Sequence, residues 1–125
     1  EFRAHISIPG AHMVYNALAA IAVGRVMGMN DEEIRQGIES LAPLAGRNHL
    51  IETETLTIID DCYNANPASM KASLDVLNKA GGRTVAILGD MFELGPKEHE
   101  MHRETGAFAA DAGIDELICI GSLAE

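Results

Sequence analysis

Leu56-Thr57-Ile58-Ile59-Asp60-Asp61-Cys62-Tyr63-Asn64-Ala65-Asn66-Pro67-Ala68-Ser69-Met70 is the stretch whose reading decides the fold. Its apolar opening, Leu56 to Ile59, reads as a strand, and its end reads as a helix start. Asn66 can cap the amides of a first helical turn, and Pro67 fits the first helical position, where its missing N–H costs nothing. Met70, Leu74 and Leu77 then recur at the spacing of one buried helix face. Two carboxylates, a phenol and two amides are packed between strand and helix. In open α/β sheets that turn lies at the carboxyl edge of the strands, where ligands bind. Polar residues there are candidates for function.

Downstream the alternation continues. The pattern predicts a helix over 67–80 stopped at Gly81-Gly82, an apolar strand Thr84–Leu88 and a loop over 89–96. A helix over 97–112 stopped by Gly113 and a strand Glu116–Ile120 follow. Strands alternating with helices of this length make βαβ units and a parallel sheet. Val85-Ala86-Ile87-Leu88 has no polar face, as expected when helices cover both sides of a sheet. The turns Asp60-Asp61, Gly89-Asp90 and Gly121-Ser122 would then share one sheet edge.

Upstream the period is helical. Asn48–Thr53 reads as a strand joined by a short turn to Leu56–Asp60, but residues 1–45 read as helices. Pro9-Gly10 opens one that runs to about Met29, with Val14, Leu18, Ile21 and Ala22 as its expected buried face. His12 and Asn16 stand one turn apart on a neighbouring side. Asn30, with Glu33 three residues on, has the form of a capping box for a second helix buried through Ile34, Ile38 and Leu41. Pro43 and Gly46 break the pattern and set a domain boundary near 44–47. The fold class is α/β: a Rossmann-like domain with a parallel sheet, preceded by a helical segment.

Composition narrows the function. Nine Lys and Arg against nineteen Asp and Glu give a net charge of −10 and leave no basic stripe, which argues against a nucleic-acid partner. No apolar run approaches the ~18 residues of a membrane span, and no signal peptide is evident. The expected state is a cytoplasmic monomer. The spacing of Cys62 and Cys119 neither requires nor forbids a disulfide; two reduced, partly buried thiols suit a cytosolic chain. The chain lacks an initial Met and ends in Gly121-Ser122-Leu123-Ala124-Glu125, which looks like the opening of another helix, so a piece of a longer protein is expected. His99 and His102 have a spacing that could serve a metal, but the signal is weak and no metal site is expected there.

Four stretches resemble the Mur ligases, and within them the branch that joins D-alanyl-D-alanine to UDP-N-acetylmuramoyl-tripeptide. These are Pro9-Gly10-Ala11-His12-Met13-Val14-Tyr15-Asn16 with Ala19-Ala20, Gly46-Arg47, Asp61-Cys62-Tyr63-Asn64-Ala65-Asn66-Pro67 with Ser69-Met70, and Leu88-Gly89-Asp90-Met91-Phe92-Glu93-Leu94-Gly95 followed by His102. The resemblance implies an enzyme of three domains. Residues 1–45 would be the helical tail of its ATP-binding central domain, and 46–125 a truncated C-terminal Rossmann-like domain. It implies ATP and Mg²⁺, activation of a peptide carboxylate as an acyl phosphate, and amide formation by the dipeptide's amine. No Gly-x-x-x-x-Gly-Lys-Ser/Thr loop is present; that loop, the Mg²⁺ ligands and the catalytic lysines would precede Glu1.

The resemblance also implies site residues. Asn16 matches the amide directed at adenine, and a side-chain amide can both donate and accept at its edge. Arg47 matches the cation that reaches the ATP phosphates or ribose. Asp61 matches the acceptor for the ribose hydroxyls. His12 joins them as a nucleotide-binding candidate, with a packing or capping role as its alternative. Tyr63, Asn64 and Asn66 match the surface that meets the dipeptide and peptide substrates, although Asn66 is equally explained as a helix cap. Asp90 and Glu93 read as site residues or as a solvated loop, and His102 as a core or site residue. Met13 stands where many Mur ligases have Asn, and Asn48-His49 departs from Met-Glu, which leaves position 49 without an assigned role. Two other readings remain: a standalone Rossmann-like nucleotide-binding or regulatory domain, and a related ligase such as a folylpolyglutamate synthase.

Overall fold

The computed structural model describes residues 2–125. Two helices come first, α1 (Ala11–Val26) and α2 (Asp31–Glu39), packed on each other. A hairpin follows, β1 (His49–Glu52) and β2 (Thr57–Asp60), then α3 (Pro67–Asn78), β3 (Val85–Gly89), a 3-10 turn Gly95–Lys97, α4 (Glu98–Asp111) and β4 (Glu116–Ile120). No helix among the described residues is long and apolar enough to cross a membrane.

The caps explain where helices begin. Asn30 Oδ1 accepts from the Glu33 amide at 3.0 Å while Glu33 Oε2 accepts from the Asn30 amide at 2.8 Å, the reciprocal box its sequence predicts. At α3, Asn66 Oδ1 accepts from the Ser69 amide at 2.9 Å, Ser69 Oγ accepts from the Asn66 amide at 3.1 Å, and Pro67 opens the helix.

The core lies where α3 and α4 cover one face of the parallel pair β3–β4. Leu74, Ala86 and Ala109 are buried at its centre, with Leu77, Leu88, Phe108 and Ile114 packed around them. At the base of the pair, Asp115 accepts from both the backbone N–H and the hydroxyl of Thr84, at 2.7 and 3.0 Å. These two bonds hold the Asp115 carboxyl below its ordinary value.

Five expectations change. β2 hydrogen-bonds antiparallel to β1 and not to β3, so the Asp60-Asp61 turn ends a hairpin instead of sharing the β3–β4 edge. The other two turns do meet: Asp90 Oδ1 accepts from the amides of Leu123 and Ala124 at 2.9 and 2.8 Å. The second face of the parallel pair is bare, with Ile87 64% and Ile120 61% exposed, because both helices lie on one side. On α1, Val14 and Leu18 are half-exposed, since its contact with α2 runs through Gly24 and Ile34; α2 buries Ile34 but ends at Glu39, so Leu41, expected on its buried face, lies past the helix and is half-exposed. Cys62 and Cys119 are free thiols and both are exposed.

Candidate functional site

The hairpin register builds the site. His49 pairs with Asp60 in the last rung, and the same register carried outward lays residues 46–48 beside residues 61–63. Three hydrogen bonds hold them there. The Tyr63 amide donates to the Gly46 carbonyl at 2.9 Å, the Gly46 amide to Asp60 Oδ2 at 2.9 Å, and the Asn48 amide to Asp61 Oδ1 at 2.9 Å. Gly46 sits at φ 75°, and a Cβ there would stand 3.3 Å from Tyr63 Cβ, so both backbone and space ask for glycine.

Arg47 is exposed, and its guanidinium carbon lies 4.1 Å from the centre of the Tyr63 ring. That stacking presents a cation on an aromatic platform. Asp61 is half-buried; Oδ1 takes the Asn48 amide and Oδ2 takes the hydroxyl of Ser73 from α3. A carboxylate has about four acceptor positions, so capacity for two further hydroxyls remains. Asp60, one residue earlier, receives the Cys62 thiol and the Gly46 amide, which hold its carboxyl below the ordinary value. In return the Asp60 carboxylate pushes the Cys62 thiol above its ordinary value.

Across from this hairpin end lies the start of α1. His12 is half-buried, its Nε2 3.4 Å from Asn48 Nδ2, which also donates to the Pro9 carbonyl at 3.3 Å. Gly10 sits at φ 114°, and a Cβ there would fall 2.4 Å from His12 Cε1, so the Pro9-Gly10 pair makes room for the imidazole. Asn16, one turn further along α1, is exposed with its amide nitrogen 3.5 Å from Met13 Sδ.

The structure thus gathers His12, Arg47, Asp61 and Tyr63 around Asn48 and leaves Asn16 one turn along α1. Asn64 and Asn66 turn inward on their own backbone: Asn64 Oδ1 accepts from the Ala65 amide at 2.9 Å, and Asn66 is the α3 cap. His102 is buried, accepting from the Met91 amide at 2.8 Å through Nε2 while Nδ1 faces the Glu98 carbonyl at 2.7 Å. These partners make it a pin for the 89–95 loop. Glu93 in that loop has φ 62° and is exposed beside an exposed Phe92.

Two residues at the centre were missed in the sequence. Asn48 registered only as a departure from a pattern. Ser73 is an ordinary polar position of α3, and nothing local signals that it reaches back twelve residues to Asp61.

The family model "Mur ligase, glutamate ligase domain" matches residues 46–125. The UDP-N-acetylmuramoyl-tripeptide–D-alanyl-D-alanine ligase of Bacillus subtilis is 40% identical over 121 residues, which are 94% of this chain and 26% of that protein. The ligase of the same name from Escherichia coli is 38% identical over 117 residues, 93% of this chain and 26% of that protein. The chain therefore spans about a quarter of the length of these curated relatives. A crystal structure of MurF from Acinetobacter baumannii superposes with a TM-score of 0.93 at 35% identity, covering 97% of this chain and 27% of that one. MurF from Thermotoga maritima, solved in complex with ADP, superposes with a TM-score of 0.83 at 27% identity over 93% of this chain and 27% of that one. Sequence and backbone agree over nearly the whole length, and the chain belongs to the Mur ligase family.

Proposed function

We propose that this chain is part of an ATP-dependent ligase of the cytoplasm that adds D-alanyl-D-alanine to UDP-N-acetylmuramoyl-tripeptide in peptidoglycan precursor synthesis. In that reading residues 1–45 end the ATP-binding central domain and residues 46–125 belong to the C-terminal domain. The observation that carries it is the likeness to ligases of that name over 94% of the chain. In the reaction the peptide carboxylate attacks the γ-phosphorus of ATP and ADP leaves. The dipeptide amine then attacks the acyl carbon of the resulting acyl phosphate, inorganic phosphate departs, and the amine loses a proton.

The residues of this chain fit the nucleotide side of such a site. Arg47, exposed and stacked on Tyr63, offers a permanent cation with forked donors to a phosphate or a ribose. Asp61 offers its spare acceptor capacity to ribose hydroxyls, and the exposed amide of Asn16 offers both a donor and an acceptor to adenine. His12 lies against Asn48, on the α1 side of these groups. Tyr63, Asn64 and Asn66 border the face toward the peptide substrates, although the inward bonds of the two amides assign them first to local structure. Among the described residues no group of three His, Cys, Asp or Glu side chains is arranged to hold a cation.

The test is a ligase assay on the complete gene product with ATP, UDP-N-acetylmuramoyl-tripeptide and D-alanyl-D-alanine. The expected result is phosphate release that requires both the tripeptide and the dipeptide. Nucleotide binding without any turnover would favour the binding-domain reading, and turnover with glutamate in place of the dipeptide would favour a related ligase.

A further inference from the structure

Asn48 stands where the two halves of the chain meet. Its backbone lies in the left-handed region at φ 49°, and its side chain is buried, 6% exposed. The helix pairs α1–α2 and α3–α4 each pack internally, and these are the larger contacts between helices among the described residues. The start of α1 meets the later half of the chain through Pro9 and His12 on Asn48, with Val76 of α3 close beside Gly10. Asn48 Oδ1 is enclosed with no hydrogen-bond partner. An unpaired buried amide oxygen is destabilising, so packing alone does not account for an asparagine here. What the residue does supply is a set of links: its amide to Asp61, its side chain to Pro9 and His12, and its peptide bond to Arg47.

We infer that Asn48 is a positioning residue for nucleotide binding, registering the start of α1, with His12 and Asn16, against Arg47 and Asp61. The inference rests on the nucleotide reading above and adds a residue to it. Groups held at the right spacing before the ligand arrives bind it more tightly, because less ordering remains to be done on binding. Loosening the spacing weakens nucleotide affinity and leaves the chemical step, carried out elsewhere, unchanged.

The variant that isolates this role is Asn48→Gly. Glycine accepts the positive φ and keeps the backbone N–H for Asp61, so only the link to α1 is lost. In the complete ligase the KM for ATP should rise roughly two- to twelve-fold, the range for one lost hydrogen bond, with kcat within about twofold of the parent. If Asn48 acts through His12, Asn48→Gly on top of His12→Ala adds little, since residues in one network are not additive. Should Asn48→Gly fail to fold, Asn48→Asp carries the same expectation for KM. It keeps the side-chain shape and tolerates the left-handed backbone but replaces the donor by an oxygen. Arg47→Ala and Asp61→Ala serve as controls. If they raise the KM for ATP while the foldable Asn48 variants do not, the positioning role is wrong. If the Asn48 effect multiplies fully with that of His12→Ala, or falls on kcat, Asn48 does not act through His12 and the inference fails. If neither control changes the KM, the nucleotide reading itself falls.

Discussion

The two sheets of this molecule are held by different forces. The parallel pair β3–β4 is anchored by burial: Leu74, Ala86 and Ala109 sit at the centre of the apolar cluster under α3 and α4. The hairpin β1–β2 buries almost nothing, with Leu50, Ile51 and Ile58 each more than a third exposed. It is held by its ladder and by the bonds of Asp60 and Asp61 to Gly46, Asn48 and Ser73. Apolar packing supplies stability without direction, whereas carboxylate bonds fix direction along with the stability they add. The candidate site lies at the directed end.

The largest effect that would break this contrast is in the core. Leu74→Ala should cost about 2–5 kcal/mol in urea denaturation, because Leu74 is 2% exposed. Ile58→Ala in the hairpin should cost no more than about 1 kcal/mol, since Ile58 is 44% exposed. Equal losses would mean that the hairpin is buried in solution and the contrast is false. Ser73→Ala should come next, at about 1 kcal/mol, and it should also weaken ATP use because Asp61 loses one of its two internal donors.

Acid sharpens the comparison at both sheets. Asp115 at the base of β3–β4 and Asp60 at the hairpin end are both held below the ordinary carboxylate value by hydrogen bonds to the charged form. A depressed folded value contributes stability above the unfolded value of about 3.9, and that contribution is lost as pH falls through the folded value. Stability should therefore decline below about pH 4, and Asp115→Asn should flatten part of that decline; a parallel curve in the variant would remove Asp115 from the account. The smallest effect is at Cys62. Its thiol donates to Asp60 and is pushed up, so Asp60→Asn should speed its alkylation near neutral pH by roughly severalfold. An unchanged rate would show that the thiol does not engage Asp60 in solution.

Local rules made the elements legible. The box at Asn30, the cap at Asn66, the strand at Glu116–Ile120 and the buried spacing through Leu74 all follow from short-range chemistry. The short turn between Asn48–Thr53 and Leu56–Asp60 made those two strands legible as neighbours. The absence of Leu56–Asp60 from the β3–β4 sheet was not legible, because an apolar strand fits a parallel or an antiparallel neighbour equally well. The faces of α1 were also misread. That helix is apolar nearly all round, so periodicity has no polar side to mark which stripe is covered. In the site, Arg47, Asp61 and His12 came from a resemblance, and the structure adds what joins them. Asn48 was invisible because its role is set by a left-handed backbone angle and a contact thirty-nine residues back in the chain.

The central claim is that the end of this hairpin, where Asp61 meets Arg47 and Asn48, holds the nucleotide of a dipeptide-adding ligase. Steady-state kinetics of Asp61→Ala in the complete ligase, with ATP varied at saturating tripeptide and D-alanyl-D-alanine, measures it most directly. A hydrogen bond to a charged acceptor is worth roughly 1.5–3 kcal/mol, so the KM for ATP should rise about 10- to 150-fold. A variant that folds and keeps both the KM for ATP and kcat of the parent would contradict the account.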